Sequence, residues 1–159
     1  SFSKILAPGL RLGYIVAPVE IARKFEQVKQ ATDLHTATLT QRAVYEVVKD
    51  GFLDEHIPNI RKLYHAQAQA MLGALEQYMP NSVTWNQPAG GMFLWLQLPA
   101  GVDSEEILEK ALARNVAYVP GVPFYANEPA RNTMRLAFVT VPEDKIREGV
   151  KVLGEVFGG

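Results

Sequence analysis

Two cations seven residues apart, Lys4 and Arg11 in "SFSKILAPGLRLGY", stand beside the hydroxyls of Ser1 and Ser3. A lysine amine is a nucleophile only when neutral, and desolvation lowers its pKa from about 10.4 toward the range where the neutral form is present. Lys4 has apolar neighbours, so two readings of it stand: a solvated surface lysine, as most lysines are, or an amine tuned to attack a carbonyl. Arg11 falls in "LRLGYIVAP" (10–18), whose β-forming residues predict a strand. With Leu10 and Leu12 facing the other way, its guanidinium must meet solvent or an anion. A hydroxyl and a guanidinium fork are donors that suit a phosphate. Pro8 and Gly9 shape a turn that could bring lysine and arginine to one side.

Arg135 repeats the theme inside "TMRLAFVTV", flanked by Met134 and Leu136 on an apolar strand. A structurally paired arginine and a carboxylate-binding arginine are equally good readings of it. "PAGGMFLW" (88–95) and "VPGVPFY" (119–125) set glycines beside aromatics, the pattern of turns leading into core strands. The histidines His35, His56 and His65 are scattered and read as surface residues. His56 and His65, nine apart, lie more than about 13 Å from each other along a helix.

The elements that must position these side chains follow from periodicity. Helical spacing of Ile21, Ala22, Phe25 and Val28 predicts a helix from Val19 to about Gln30. "TATLTQRAVYEVVKDG" predicts a second, with Thr38 and Gln41 as a capping box and Gly51 as its stop. The longest periodic stretch, "LDEHIPNIRKLYHAQAQAMLGALEQYMP", carries one apolar stripe of Ile57, Ile60, Leu63, Tyr64, Met71, Leu75 and Tyr78. Pro58 falls in its first turn and Pro80 ends it. Then strand and helix alternate: "SVTWN", "GMFLWLQLP", a helix "DSEEILEKALARN" capped by Asp103 and Glu106, "VAYVP", "TMRLAFVTV", and a closing helix with Thr140 and Glu143 at its start. Residues from about 60 onward predict an α/β sandwich, a sheet with helices on one face. "GVPFYANEPARN" (121–132) is a shaped loop.

The 159 residues are 48% apolar with a formal net charge of −1, and the mean hydropathy is −0.03. Such a chain can bury a sizeable core and has no electrostatic case for nucleic acid or anionic membrane as a partner. No apolar run approaches the roughly 18 to 20 residues of a spanning helix. With no cysteine there is no disulfide or thiol chemistry, which fits a cytoplasmic location.

"SFSKILAPGLRLGYIVAP" resembles the lysine motif of the fold-type I, class I/II aminotransferases that use pyridoxal 5′-phosphate (PLP). Its pattern is Ser, two residues, Lys, seven residues on an Arg, and a Gly two further. "PAGGMFLWLQLP", "VAYVPGVPFY" and "NTMRLAF" resemble later motifs of the family, in its order and at its usual distances. The resemblance spans the whole chain and is most pronounced for the 2-aminoadipate and multi-substrate branch. It implies that Lys4 is the Schiff-base lysine, that Ser1 and Arg11 hold the cofactor phosphate, and that Arg135 binds the substrate α-carboxylate. The loop with Phe124 and Tyr125 would border the substrate.

By the same resemblance, residues 1–52 are the C-terminal remnant of a large PLP-binding domain. Residues 53–159 are the interdomain helix and the complete small α/β domain. The implied reaction moves the amino group of an α-amino acid (2-aminoadipate, aromatic or branched-chain) to a 2-oxo acid such as 2-oxoglutarate. The family's dimeric active sites imply a homodimer, with "DLHTATLTQ" (33–41) near a neighbouring subunit's loop. The contacts to the cofactor ring would lie upstream of Ser1. An inactive domain fragment, or the effector half of a PLP-sensing transcription regulator, are therefore the alternatives to an enzyme.

Overall fold

The computed structural model describes residues 1–158. They divide into two compact units, Ser1–Arg61 and one that begins at Lys62, with the boundary inside a single long helix.

The first unit begins with a loop closed by its own backbone. The Phe2 N–H donates to the Leu12 carbonyl at 3.0 Å, and the Leu6 and Ala7 N–H groups converge on the Phe2 carbonyl at 2.9 and 3.2 Å. Pro8–Leu10 form one 3-10 turn, where proline's fixed φ suits the first position. The strand expected over 10–18 is absent. Strands exist by ladder hydrogen bonds to a neighbour, and none is offered to this segment among the described residues. Tyr14, Ile15 and Val16 are left exposed.

Helix α1 (Val19–Thr32) and helix α2 (Thr38–Val48) follow. The capping box expected at Thr38 and Gln41 does not form. Ala37 takes the cap position, so the Thr38 hydroxyl falls inside the first turn. The Gln41 carboxamide instead donates to the Thr36 carbonyl at 2.8 Å. Past α2, Gly51 adopts a φ of +83°, open to glycine at little cost. Helix α3 (Phe52–Tyr78) starts directly after it and accommodates Pro58 in its second turn.

The second unit is a four-stranded antiparallel sheet with helices on one face. Its strands β1 (Thr84–Trp85), β2 (Phe93–Gln97), β3 (Val119–Pro120) and β4 (Thr133–Ala137) lie in the order β1-β2-β4-β3. Period-2 alternation decides the faces. Leu94, Leu96, Met134 and Leu136 point to the core, and Leu98 and Phe138 continue it past the strand ends. Against them pack Ala70, Met71, Ala74 and Leu75 of α3, Ala111 of helix α4 (Ser104–Leu112), and Ile146, Val150 and Leu153 of helix α5 (Glu143–Gly158). Each fully buried Leu or Ile contributes about 1.5–3 kcal/mol of transfer free energy.

The α3 stripe is narrower than its periodicity predicts. Met71 and Leu75 are buried, but Leu63 is half exposed and Gln67 is buried in its place, its amide donating to the Val141 carbonyl at 2.8 Å. Asp103 caps α4 by accepting from the Glu105 N–H at 2.8 Å. Its other oxygen goes to Arg131 at 2.7 Å, a partner the Asp103–Glu106 pairing did not anticipate. Helix α5 starts at Glu143, with the Ile146 N–H on the Pro142 carbonyl, so Thr140 lies outside it. A Cβ on Gly154 would stand 2.2 Å from the Tyr78 carbonyl oxygen; only a glycine lets α5 approach the end of α3 that closely.

Candidate functional site

The loop of residues 1–14 gathers three of the four residues singled out from the sequence. The Phe2–Leu12 hydrogen bond lays the two ends of the loop side by side. A Cβ on Gly13 would lie 3.6 Å from the Ser1 Cα, and the Phe2 and Tyr14 rings meet at 5.7 Å. Ser1 and Arg11, ten positions apart in sequence, are thereby brought to the same end of the loop. Arg11 is not the strand residue expected. It closes the 3-10 turn in the left-handed region (φ 48°, ψ 38°), uncommon for a side chain with a Cβ, and its guanidinium donates to the Pro8 carbonyl at 3.4 Å. The Ser1 hydroxyl accepts from the Ser3 N–H at 3.2 Å.

Lys4 lies on the turn between them and is exposed, while Phe2, Ser3, Ile5 and Leu6 are half-buried. Neither Lys4 nor Arg11 pairs with a carboxylate among the described residues.

Arg135 belongs to the second unit, at the middle of β4 and on the sheet face that the helices leave open. It stands directly opposite Trp95 of β2 and beside Val119 of β3. Its guanidinium carbon lies 4.1 Å from the centre of the Phe93 ring and 4.7 Å from that of Phe124. Trp95 meets Phe124 edge-on at 5.4 Å and Tyr125 at 6.3 Å. Phe124 sits in a second 3-10 turn, Val122–Phe124, hung on β4 by the Gly121 N–H, which donates to the Thr133 carbonyl at 2.7 Å. Of the two readings of Arg135, structural pairing has no support: no carboxylate meets it among the described residues. An arginine with its charge uncompensated and aromatic rings against it is equipped to receive an anion.

Phe93 and Trp95 were not picked out from the sequence as site residues. The signal was there, since period 2 in "FLWLQ" puts both on the face opposite Leu94 and Leu96. That this face would be Arg135's depends on the β2–β4 register.

The other perturbed groups hold the fold. Arg131 and the Glu105 N–H keep the Asp103 carboxyl below its ordinary value, and Asp103 in turn raises Arg131. Burial pushes the Tyr118 hydroxyl up to about 12, with a smaller contribution from Asp103, and the hydroxyl donates to the Ser104 carbonyl at 2.7 Å.

The donors of the first loop, a hydroxyl, a guanidinium and an amine without a counter-charge, fit an anionic phosphate group that also carries a carbonyl. A family model described as aminotransferase class I and II matches residues 1–153. The chain is 52% identical over 155 residues to aromatic-amino-acid aminotransferase 1 of Thermococcus litoralis, covering 98% of this chain and 37% of that protein. Among solved structures it is similar to the multiple substrate aminotransferase of Thermococcus profundus (TM-score 0.93, 49% identity, 99% of this chain and 39% of that one). It is also similar to LysN, the α-aminoadipate aminotransferase of Thermus thermophilus, in complex with N-(5′-phosphopyridoxyl)-L-leucine (TM-score 0.94, 46% identity, 100% of this chain and 41% of that one). The chain thus spans about two fifths of the length of the relatives it matches. Among the described residues, no helix is long and apolar enough to cross a membrane.

Proposed function

The chain belongs to the class I and II aminotransferases, and from that membership we propose that it carries the lysine-bearing and carboxylate-binding portion of a PLP-dependent aminotransferase. The observation that carries this reading is the 1–14 loop, whose backbone closure holds a hydroxyl and two cations without a carboxylate partner among the described residues in one short segment.

Each residue then has one task. Ser1 and Arg11 hold the cofactor phosphate, the hydroxyl and the guanidinium fork supplying charge-assisted hydrogen bonds. When bound, the cofactor supplies an electron sink that makes the α-proton of an amino acid acidic. Lys4 Nζ is the amine that carries the cofactor and, when free, the base that takes and returns that proton. Arg135 fixes the substrate α-carboxylate bidentately, and so orients the bond to be broken.

The amino donor is 2-aminoadipate or an aromatic or branched-chain amino acid, and the acceptor is a 2-oxo acid, 2-oxoglutarate in the first instance. The named activities of the relatives support this range. The enzyme works as a cytoplasmic homodimer, with residues 33–41 near the partner subunit. Residues 1–52 form the end of its cofactor domain, and 53–159 the connecting helix and small domain.

The test is transamination by the protein that carries this chain, followed as glutamate released from 2-oxoglutarate with a panel of these amino acids. Turnover that needs added PLP is expected. No turnover with any donor, in a protein that binds PLP, would favour a PLP-sensing role instead.

A further inference from the structure

We infer that Phe93 and Phe124 are positioning residues that clamp the Arg135 guanidinium through their ring faces and thereby keep its N–H fork free for a substrate carboxylate. The inference rests on the proposed role of Arg135 and adds how that role is maintained.

A mobile arginine on a sheet face must be ordered before it can grip a carboxylate bidentately, and long side chains lose much rotamer freedom on ordering. The common device is a carboxylate partner, which fixes the guanidinium but occupies its donors and cancels its charge. At Arg135 the structure uses another. The guanidinium carbon lies 4.1 and 4.7 Å from two ring centres, within the range of cation–π attraction. It makes no side-chain hydrogen bond or ion pair among the described residues. A ring face attracts the cation without taking any of its five N–H donors.

The two rings come from different elements, each independently held. Phe93 is on β2, paired across from Ala137 and so diagonal to Arg135 on the same face. Phe124 hangs on the 3-10 turn that Gly121 ties to Thr133, two residues from Arg135 on the same strand, and a T-shaped contact with Trp95 supports it. Phe124 is 48% exposed and buried in no core, so its position against Arg135 is not a by-product of packing elsewhere.

The test uses the cofactor-loaded enzyme that carries this chain, with 3-phenylpropionate as a carboxylate probe that lacks the reacting amine. Phe124→Leu is expected to weaken probe binding about fivefold to tenfold and to raise KM for the amino donor by a similar factor. At saturating donor, kcat stays near the parent value. Phe124→Tyr, which keeps the ring face, restores both affinities. Phe93→Leu, on the strand, should show the same split, and thermal unfolding checks that each variant folds.

Unchanged probe affinity in folded Phe124→Leu and Phe93→Leu, while Arg135→Gln loses it, overturns the clamp and leaves Arg135 as the carboxylate group. Unchanged affinity in Arg135→Gln overturns the underlying reading and the clamp with it. A fall in kcat alone, with KM and probe affinity unmoved, also counts against the clamp.

Discussion

The Gly121 N–H donates to the Thr133 carbonyl at 2.7 Å, and the two residues are so close that a Cβ on Gly121 would stand 1.9 Å from the Thr133 hydroxyl oxygen. Space, not backbone freedom, makes the glycine necessary, since its φ of −75° is open to any residue. Thr133 cannot retreat: it is buried, and its hydroxyl donates to the Ala130 carbonyl at 2.7 Å. Gly121→Ala should therefore destabilise the unit that begins at Lys62 by about 1–3 kcal/mol. Urea denaturation measures it, and an unshifted midpoint would mean that the turn yields freely.

Tyr118 gives the second unit a pH limit. Its hydroxyl is pushed up to about 12 from an ordinary 10, chiefly by burial. The folded-state value is the higher one, so the unfolded chain releases this proton first. The stabilisation is complete below pH 10 and is lost as pH rises from 10 through 12. Tyr118→Phe should flatten that alkaline fall while costing about 1 kcal/mol near neutrality for the lost bond to Ser104. Stability profiles across this range decide it; an alkaline fall of the same size in Tyr118→Phe would assign it to other groups.

Arg11 is expected to act on cofactor affinity alone. Losing a charge-assisted bond to a phosphate costs about 1.5–3 kcal/mol, so Arg11→Gln should weaken PLP binding roughly 10- to 150-fold. Equilibrium dialysis against PLP reads this directly. An affinity within twofold of the parent would remove Arg11 from the phosphate site.

Much of the fold was legible in the sequence because its signals are local. Alternation in "FLWLQ" and "TMRLA" and helical spacing in α3, α4 and α5 each reflect one buried face, whereas the apolar stripe that predicted α1 stays exposed. The misreading at 10–18 has the opposite cause, since β-formers predict a strand only where another strand offers a ladder. The caps at Thr38 and Thr140 failed because one or two residues decide whether a hydroxyl lies outside a helix or within its first turn. Lys4, Arg11 and Arg135 could be picked out by residue type and spacing. Phe93 and Trp95 were legible as sharing one face but not as neighbours of Arg135, because which strand β2 pairs with is a tertiary fact, and the register of Trp95 against Arg135 brings them together.

The proposed function stands or falls with Lys4 as the lysine that carries the cofactor, and borohydride reduction of the PLP-loaded protein followed by peptide mapping identifies that lysine. Reduction fixes an imine as a stable amine on whichever lysine formed it. One phosphopyridoxyl group per chain is expected, on Lys4, and absent from Lys4→Ala. A reduced adduct on another lysine, or one spread over the surface lysines and undiminished in Lys4→Ala, would contradict the proposed function.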